Sequence, residues 1–363
     1  MPVVNNCCTE RQERLWDSLK VLDPPCDAML ITSRHNLRYL TGFTGSNGVA
    51  VVTASGTFFY TDPRYRFQAA QEVTAKSRAV AGPLLNYVAG LVTRHKWRRL
   101  GFEQDHLTAG QFELLRTKMT RYQTFLPRGG LVETLRMVKS AEELARIALS
   151  VRTNSRALDA ALRRLKAGMN EAELAAEIDY QMRRLGAERP SFDTIVASGA
   201  RSALPHAHPT RVAIGPGVLL IDMGAIQGGY ASDMTRTFFL GEPGRKMSQI
   251  YKAVLEAQLA AIDVVRPGIK ASAVDRAARN VLKAHGLDKA FMHATGHGLG
   301  LEVHEPPRLG KREATKLEAG MAITIEPGAY VEGVGGVRIE DTLVVTAHGC
   351  EVLTPTPKEL RVL

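Results

Sequence analysis

The 363-residue chain predicts a mixed α/β (α+β) fold in two parts. Three observations carry that expectation. Strand-length apolar runs alternate with helical patterns as far as about residue 134, as in an α/β layer. A capping box, Ser140 followed by Glu143, then opens a long helix within L-R-M-V-K-S-A-E-E-L. Beyond it, two helices and an acidic hairpin are followed by two more helices and a second acidic hairpin. The boundary separates domains 1–135 and 136–363.

In order along the chain, residues 11–22 read as an amphipathic helix and D-A-M-L-I-T-S as a strand. G-V-A-V-V-T-A-S-G-T-F-F-Y-T-D reads as a hairpin turning at Ser55-Gly56. R-R-L-G-F-E and Y-Q-T-F-L-P mark further strands. In the second domain the first helix reaches about residue 165 and ends at Lys166-Ala167-Gly168-Met169. Asn170 caps a helix over 171–185, stopped at Gly186. Strands are expected at 192–198 and across 211–240. Helices at 244–265 and 271–285 end at Arg266-Pro267-Gly268 and Gly286, and strands follow at 291–303, 321–331 and 336–346. The plan repeats at about 100 residues, an internal pseudo-duplication that would bring the two hairpins together.

Composition excludes several classes. The longest apolar runs are strand-length, so no membrane span is expected. M-P-V-V-N-N-C-C-T-E-R-Q-E-R has no apolar core of a secretory signal. Cys7, Cys8, Cys26 and Cys350 make no disulfide framework at this length, and Cys7 and Cys8 read as frayed, exposed thiols. A cytoplasmic protein is expected. The net charge of +10 is uneven, with 19 Lys and Arg against 11 Asp and Glu in residues 1–139. The basic residues are scattered without interleaved aromatics, and Arg94-His95-Lys96-Trp97-Arg98-Arg99 reads as an exposed helix end, so nucleic acid is not an expected partner.

The chemistry lies in the two hairpins. Asp222 in V-L-L-I-D-M-G and Asp233 in S-D-M-T-R-T-F-F-L sit within β-patterned runs, where acids are depleted. Glu326 in A-I-T-I-E-P-G and Glu340 in V-R-I-E-D-T-L-V-V do the same. A tight turn at Gln227-Gly228 would set Asp222 directly opposite Asp233, roughly 5 Å apart at Cβ. Glu326 and Glu340 are likewise symmetric about Gly333. Like charges so placed are destabilising unless a cation lies between them. In H-A-T-G-H-G-L-G-L-E-V-H-E, Gly296, Gly298 and Gly300 argue against a helix through His293 and His297, and for backbone held close to a neighbour. Four carboxylates and an imidazole suit two divalent ions, Mn(II) first and Co(II) or Zn(II) as alternatives. Such a pair supports hydrolysis.

These motifs resemble the pita-bread metallopeptidases, and among them the Xaa-Pro peptidases, prolidase and aminopeptidase P. The resemblance covers nearly the whole chain. N-L-R-Y-L-T-G-F-T-G-S-N and T-D-P-R-Y match a creatinase-like N-terminal domain. S-G-A-R-S-A-L-P-H, I-D-M-G-A, Y-A-S-D-M-T-R-T, the histidine segment, T-I-E-P-G-A-Y and G-V-R-I-E-D match a pita-bread domain. The resemblance implies that Asp222 holds one metal, Asp233 and Glu340 bridge both, and His297 and Glu326 complete the second. It makes Glu326, beside a bridging hydroxide, the general base as well. It places His206, His293 and His304 at the substrate, with His304 hydrogen-bonding the peptide, and Arg338 beside the ligands. Residues 36–47 and T-D-P-R-Y-R-F are where a homodimer partner would meet the site.

The implied substrate is a peptide with proline second, whose tertiary amide lacks an N–H. A dipeptidase must also bind proline's carboxylate, and Arg308 and Arg312 are the candidate partners. An aminopeptidase P would leave that region open. A methionine aminopeptidase would leave the N-terminal domain unexplained, and creatine amidinohydrolase lacks the metal ligands. A non-catalytic pita-bread binding protein would be expected to have lost some of them.

Overall fold

The structure, a computed structural model, describes residues 3–363, with side chains from residue 7 onward. The chain divides into two units, with the boundary in sequence between Arg136 and Met137.

The first unit is built on six strands: β1 (Ala28–Ile31), β2 (Gly48–Thr53), β3 (Gly56–Thr61), β4 (Lys76–Ala79), β5 (Arg99–Glu103) and β6 (Thr124–Arg128). They lie in the order β4-β3-β2-β1-β5-β6. The β2–β3 pairing of Thr53 with Gly56 puts the turn at Ala54-Ser55, one residue before the expected Ser55-Gly56. The Thr53 hydroxyl closes that turn, accepting from Ser55 N at 3.2 Å and donating to Gly56 O at 2.9 Å. The first helix, Val3–Lys20, starts well before the expected residue 11. Its face Cys8, Leu15 and Leu19 is buried, so Cys8 is an interior thiol, 3.8 Å from Tyr39 O, and not a frayed one. Cys7 is half-buried.

In the second unit the duplication is visible in backbone detail. Helices Ala141–Leu162 and Glu171–Arg184 form the first pair, Arg245–Asp263 and Ala271–Ala284 the second. Capping boxes at Ser140/Glu143 and Asn170/Glu173 open the first two. Gly168 and Gly268, one hundred residues apart, have φ of 83° and 84°, a left-handed turn that favours glycine. Isolated bridges follow at Asn170–Ala213 and Lys270–Lys316. Gly186 and Gly286 then end the second helix of each pair in the same region of φ.

Each pair covers its own sheet. The first sheet contains β8 (Ile195–Ser198), β9 (Gly217–Met223) and β12 (Met234–Leu240). Short strands β7 (Arg189–Pro190), β10 (Ala225–Gln227) and β11 (Tyr230–Ala231) lie beside it in sequence. Leu158, Ile178 and Met182 pack there against Val196, Leu219, Ile221 and Phe238. The second sheet runs β14 (Glu305–Leu309), β13 (Gly296–Gly298), β15 (Ala322–Ile325), β18 (Asp341–Val345), β19 (Cys350–Val352). Val254, Ala257 and Leu282 pack against its Ile323, Ile325 and Leu343. A separate ribbon pairs β16 (Gly328–Val331) with β17 (Gly335–Arg338). The expected strand over 291–303 is reduced to β13, because the glycine-rich chain leaves the sheet and returns as β14.

The register of the first acidic hairpin differs from expectation. Ile226 pairs with Ala231 and Gln227 with Tyr230, so the turn is Gly228-Gly229. Both glycines have positive φ, 60° and 78°, as a two-residue turn of the primed type requires, and Gln227 could not supply that cheaply. The shift places Asp222 opposite Thr235, and Asp233 lies beyond the β9–β12 ladder. The second hairpin keeps the expected symmetry. Ile325 faces Asp341 and Gly328 faces Arg338, so Glu326 and Glu340 share one register between the two ladders.

Candidate metal centre

Asp222, Asp233, His293, His297, His206, His304, Glu326, Arg338, Glu340 and Arg308 all line one cleft of about 790 Å³. Arg312 does not line it. The cleft also holds Phe192, Pro205 and Glu313.

Asp222 stands near the end of β9 and Asp233 just before β12, both delivered by the first sheet. Glu326 follows β15 and Glu340 precedes β18, delivered by the second. His297 sits in the middle of β13. The flanking glycines have a steric cause. A Cβ on Gly296 would lie 1.9 Å from Thr324 O, and one on Gly298 2.3 Å from Pro306 O. Only bare backbone fits where β13 is squeezed between β15 and β14.

These side chains converge. His297 Nε2 lies 3.5 Å from Asp233 Oδ2 and 3.4 Å from Glu326 Oε1. Ligand atoms of Asp233, His297 and Glu340 all fall within 4.8 Å of one another. His297 Nδ1 lies 3.0 Å from Gly298 O. A carbonyl only accepts, so Nδ1 carries the proton and the Nε2 lone pair faces the carboxylates. That is the tautomer a metal ligand needs. Burial lowers the His297 pKa to about 4, with His304 adding to the effect, so the ring is neutral near pH 7.

Three of the four carboxylates are held above their ordinary range by burial and by one another's charge. Burial pushes the Glu326 pKa up to about 8, with the charge of Asp222 adding to it against Arg338. Burial, then Glu340, Asp222 and Glu326, hold Asp233 well above its ordinary range. Burial, Glu326 and Asp222 do the same to Glu340. Asp222 Oδ1 and Glu340 Oε1 are buried with no hydrogen-bond partner. Orphaned carboxylate oxygens within a like-charged, oxygen-rich cluster fit divalent cations, and the donor set of carboxylates plus one imidazole suits that chemistry.

The partners that orient the cluster were only partly foreseen. Arg338 was expected beside it. Its Nη2 lies 2.6 Å from Asp222 Oδ2, Nε donates to Thr235 Oγ1 at 2.9 Å, and Nη1 to the Tyr330 hydroxyl at 2.6 Å. Thr235, which sequence reasoning missed, donates from its own hydroxyl to Glu340 Oε2 at 2.8 Å. It thereby joins the acidic residues of the two sheets, Glu340 directly and Asp222 through Arg338. Tyr330, also missed, bonds His293 Nε2 at 2.9 Å, while His293 Nδ1 faces Ala294 O at 2.8 Å. The signal for both lay within T-R-T and E-P-G-A-Y, but no spacing argument reaches them. Asp275 was missed as well. Fully buried on its helix, it accepts from Thr295 N and Oγ1 and pairs with Arg279, which donates to His293 O.

His304 is exposed, and its ring meets that of His297 edge-on with centroids 4.4 Å apart. Although the residue keeps an exposed surface, desolvation by the surrounding cleft lowers its pKa. Arg308 faces Glu313, whose pKa is lowered chiefly by the Thr315 hydroxyl and in small part by Arg308.

Fold and cleft together define a metal-dependent hydrolase: paired helix-covered sheets present acids and one neutral imidazole to the floor of an open pocket. Comparison with known proteins gives the family. Residues 145–347 match the model of metallopeptidase family M24, and residues 11–138 match the creatinase/prolidase N-terminal domain. An uncharacterised peptidase of Bacillus subtilis is 40% identical over 93% of this chain and 96% of its own. The solved Xaa-Pro dipeptidase from Bacillus anthracis is 39% identical, covers 98% of this chain and 100% of its own, and superposes with a TM-score of 0.94. An X-Pro aminopeptidase from Thermotoga maritima is 34% identical over 97% of this chain and 100% of its own, with a TM-score of 0.89. The chain belongs to metallopeptidase family M24, with a creatinase-like N-terminal domain and a pita-bread domain. Among the described residues no helix is long and apolar enough to cross a membrane.

Proposed function

We propose that this peptidase hydrolyses the bond preceding proline, with Xaa-Pro dipeptides as its preferred substrates. The observation that carries the reading is the pair of orphaned buried oxygens, Asp222 Oδ1 and Glu340 Oε1, in a cluster with Asp233, Glu326 and His297. Those five residues would hold two divalent ions, Mn(II) first and Co(II) or Zn(II) as alternatives. When bound, the ions supply Lewis acidity toward the scissile carbonyl and a water nucleophile at neutral pH.

The remaining chemistry belongs to the chain. Glu326, freed of its proton when the ions are bound, would accept the nucleophile's proton and return it to the leaving proline nitrogen. His293, held neutral by burial, donates from Nδ1 to Ala294 O and is oriented by Tyr330. His304 and His206 line the same cleft, where an imidazole N–H can bind the peptide carbonyl. Proline lacks the N–H that an extended backbone offers, so apolar walls such as Phe192 and Pro205 suit it better than a strand edge.

For the dipeptide preference, Arg308 is the side chain to hold proline's carboxylate. It lines the cleft, whereas Arg312 does not. Glu313 shares the cleft with Arg308 and tempers its charge until a substrate carboxylate competes. The structure of an Xaa-Pro dipeptidase as a neighbour supports this reading, and that of an X-Pro aminopeptidase supports the second one, removal of the first residue from longer peptides. A homodimer and a cytoplasmic setting complete the proposal, the latter supported by four cysteines that form no disulfide.

The test compares an Xaa-Pro dipeptide with an Xaa-Pro-Zaa tripeptide on Mn(II)-loaded protein, with Asp233→Asn as control. Dipeptide preference, abolished in the control, supports the proposal. Tripeptide preference replaces it with the aminopeptidase reading. Cleavage of neither, with metal demonstrably bound, sinks both.

A further inference from the structure

We infer that the C-terminal segment, through Arg236, is a built-in clasp that sets the metal ligands Asp233 and Glu340 in position. The inference rests on the metal site proposed above and concerns residues outside it. Arg236 is 1% exposed, and a buried guanidinium requires every donor to be used. All of its donor nitrogens are engaged. Nη1 donates to Thr235 O at 2.9 Å and Glu340 O at 2.5 Å. Nη2 donates to Asp341 Oδ1 and to Thr356 O, both at 2.6 Å, and Nε to Pro357 O at 3.0 Å. One side chain thus ties the strand after Asp233 to the backbone of Glu340 and to the tail.

The tail fixes the other side. Lys358 Nζ lies 2.5 Å from Asp341 Oδ2, and Gln258 donates to the same oxygen at 2.8 Å. Tyr251 donates to Lys358 O at 3.0 Å. Farther along, Phe239 N donates to Arg361 O at 3.0 Å and Leu363 N to Phe239 O at 2.8 Å, adding a parallel bridge to β12. Asp341 is therefore a buried carboxylate held between Arg236 and Lys358, immediately after Glu340. Thr342 Oγ1 closes the loop by donating to Asp233 O at 2.9 Å.

The consequence is geometric. Asp233 and Glu340 belong to different sheets, and backbone hydrogen bonding between those sheets near the ligands is sparse: Glu340 N to Thr235 O at 3.1 Å. Arg236 bonds the carbonyls of both residues of that pair. Without it, the spacing of the two carboxylates would rest on that one backbone bond and on the hydroxyls of Thr235 and Thr342.

The experiment measures Mn(II) affinity of metal-stripped full-length protein by titration calorimetry, at a temperature where near-UV circular dichroism shows each variant folded. Arg236→Lys keeps a charge toward Asp341 but cannot span all five acceptors. Lys358→Met removes the tail's tie to Asp341, together with a 3.1 Å bond to Gln258, at a side chain 21% exposed. Both are expected to weaken Mn(II) binding, roughly 10- to 100-fold for Arg236→Lys, the scale of lost ligand-orienting partners. A merely stabilising role would lower the melting temperature and leave the affinity of the folded protein unchanged. That outcome in folded Lys358→Met overturns the inference, even where Arg236→Lys does not fold. Asp233→Asn is the control: wild-type Mn(II) affinity there overturns the metal site itself, whereas its loss alongside unaffected clasp variants overturns only the clasp.

Discussion

The Tyr330 hydroxyl donates to His293 Nε2 at 2.9 Å and accepts from Arg338 Nη1 at 2.6 Å. The direction is fixed by the partners: a guanidinium only donates, and His293 Nδ1 already donates to Ala294 O. Tyr330 therefore conveys the pull of the Arg338–Asp222 pair to a histidine of the cleft. Tyr330→Phe keeps the ring and removes the relay. One hydrogen bond near a charged group is worth about 1.5–3 kcal/mol. If that energy is expressed in turnover, kcat falls roughly 10- to 100-fold. Mn(II) affinity should change little, because Tyr330 reaches the proposed metal ligands only through Arg338. Steady-state kinetics with parallel metal titration would check it. A change in metal affinity with kcat preserved would contradict the relay.

Metal removal should expose the cost of the acidic cluster in a pH-dependent way. Glu326, with a pKa near 8, and Asp233 and Glu340, also raised, keep protons in the metal-free fold where the unfolded chain has lost them. Between the ordinary carboxyl range and about pH 8, the metal-free fold binds more protons than the unfolded chain. Its stability must fall as pH rises through that window. Bound cations displace those protons and remove the penalty. Calorimetric melting of stripped and Mn(II)-loaded protein at pH 6 and pH 8 is the check. The expected result is a larger stabilisation by Mn(II) at pH 8. An equal or smaller one at pH 8 would show that the cluster is not compensated by the ions.

Why the acidic residues were legible and their register was not is a matter of scale. A carboxylate inside a β-patterned run violates a strong local preference, and Asp222, Asp233, Glu326 and Glu340 each announce themselves that way. Glu326 and Glu340 also kept their predicted symmetry. The first hairpin did not, because Gln227-Gly228 and Gly228-Gly229 are both plausible turns in a string. The choice falls to φ, which only two successive glycines satisfy without strain. The duplication was legible because helix stops such as Gly168 and Gly268 are local chemistry. Thr235, Arg236 and Tyr330 were not singled out, since their roles depend on partners up to 121 residues away in sequence. Cys8 failed for a related reason: its burial follows from a helix that begins before any apolar periodicity is evident.

The glycines around His297 invite a direct steric test. A methyl on Gly296 would sit 1.9 Å from Thr324 O, a backbone atom that cannot step aside. Gly296→Ala should therefore cost at least the 1–3 kcal/mol typical of overpacking and displace His297 from the cluster. Gly90→Ala is the matched control. Gly90 lies within the helix Leu84–Arg94, and a Cβ there meets nothing within 4 Å. That substitution should stabilise by about 0.5–1 kcal/mol, through helix propensity alone. Chemical denaturation of both variants, with Mn(II) binding measured for the first, gives the comparison. Equal stability of the two would mean that β13 has room the geometry denies.

Lys139 and Glu305 form an ion pair at 3.2 Å with both side chains only 2% exposed. Glu305 directly follows His304, and its Oε1 accepts from Glu302 N at 3.1 Å, so the carboxylate braces the loop that carries His304. A Cβ on Gly300 would lie 2.8 Å from the same carboxylate, which shows how closely the loop wraps it. Removing Lys139 takes a counter-ion away from a buried carboxylate, a loss of up to about 3–5 kcal/mol. Lys139→Met should therefore be severely destabilised. Lys139→Met combined with Glu305→Leu removes both charges and should recover much of that loss. The recovered protein should still fall short in catalysis, because the brace on His304 is gone. Urea denaturation of the two variants reads the first effect and kcat/KM of the double variant reads the second. Full activity in the double variant would mean that His304 is positioned by the rest of its loop and not by the buried pair.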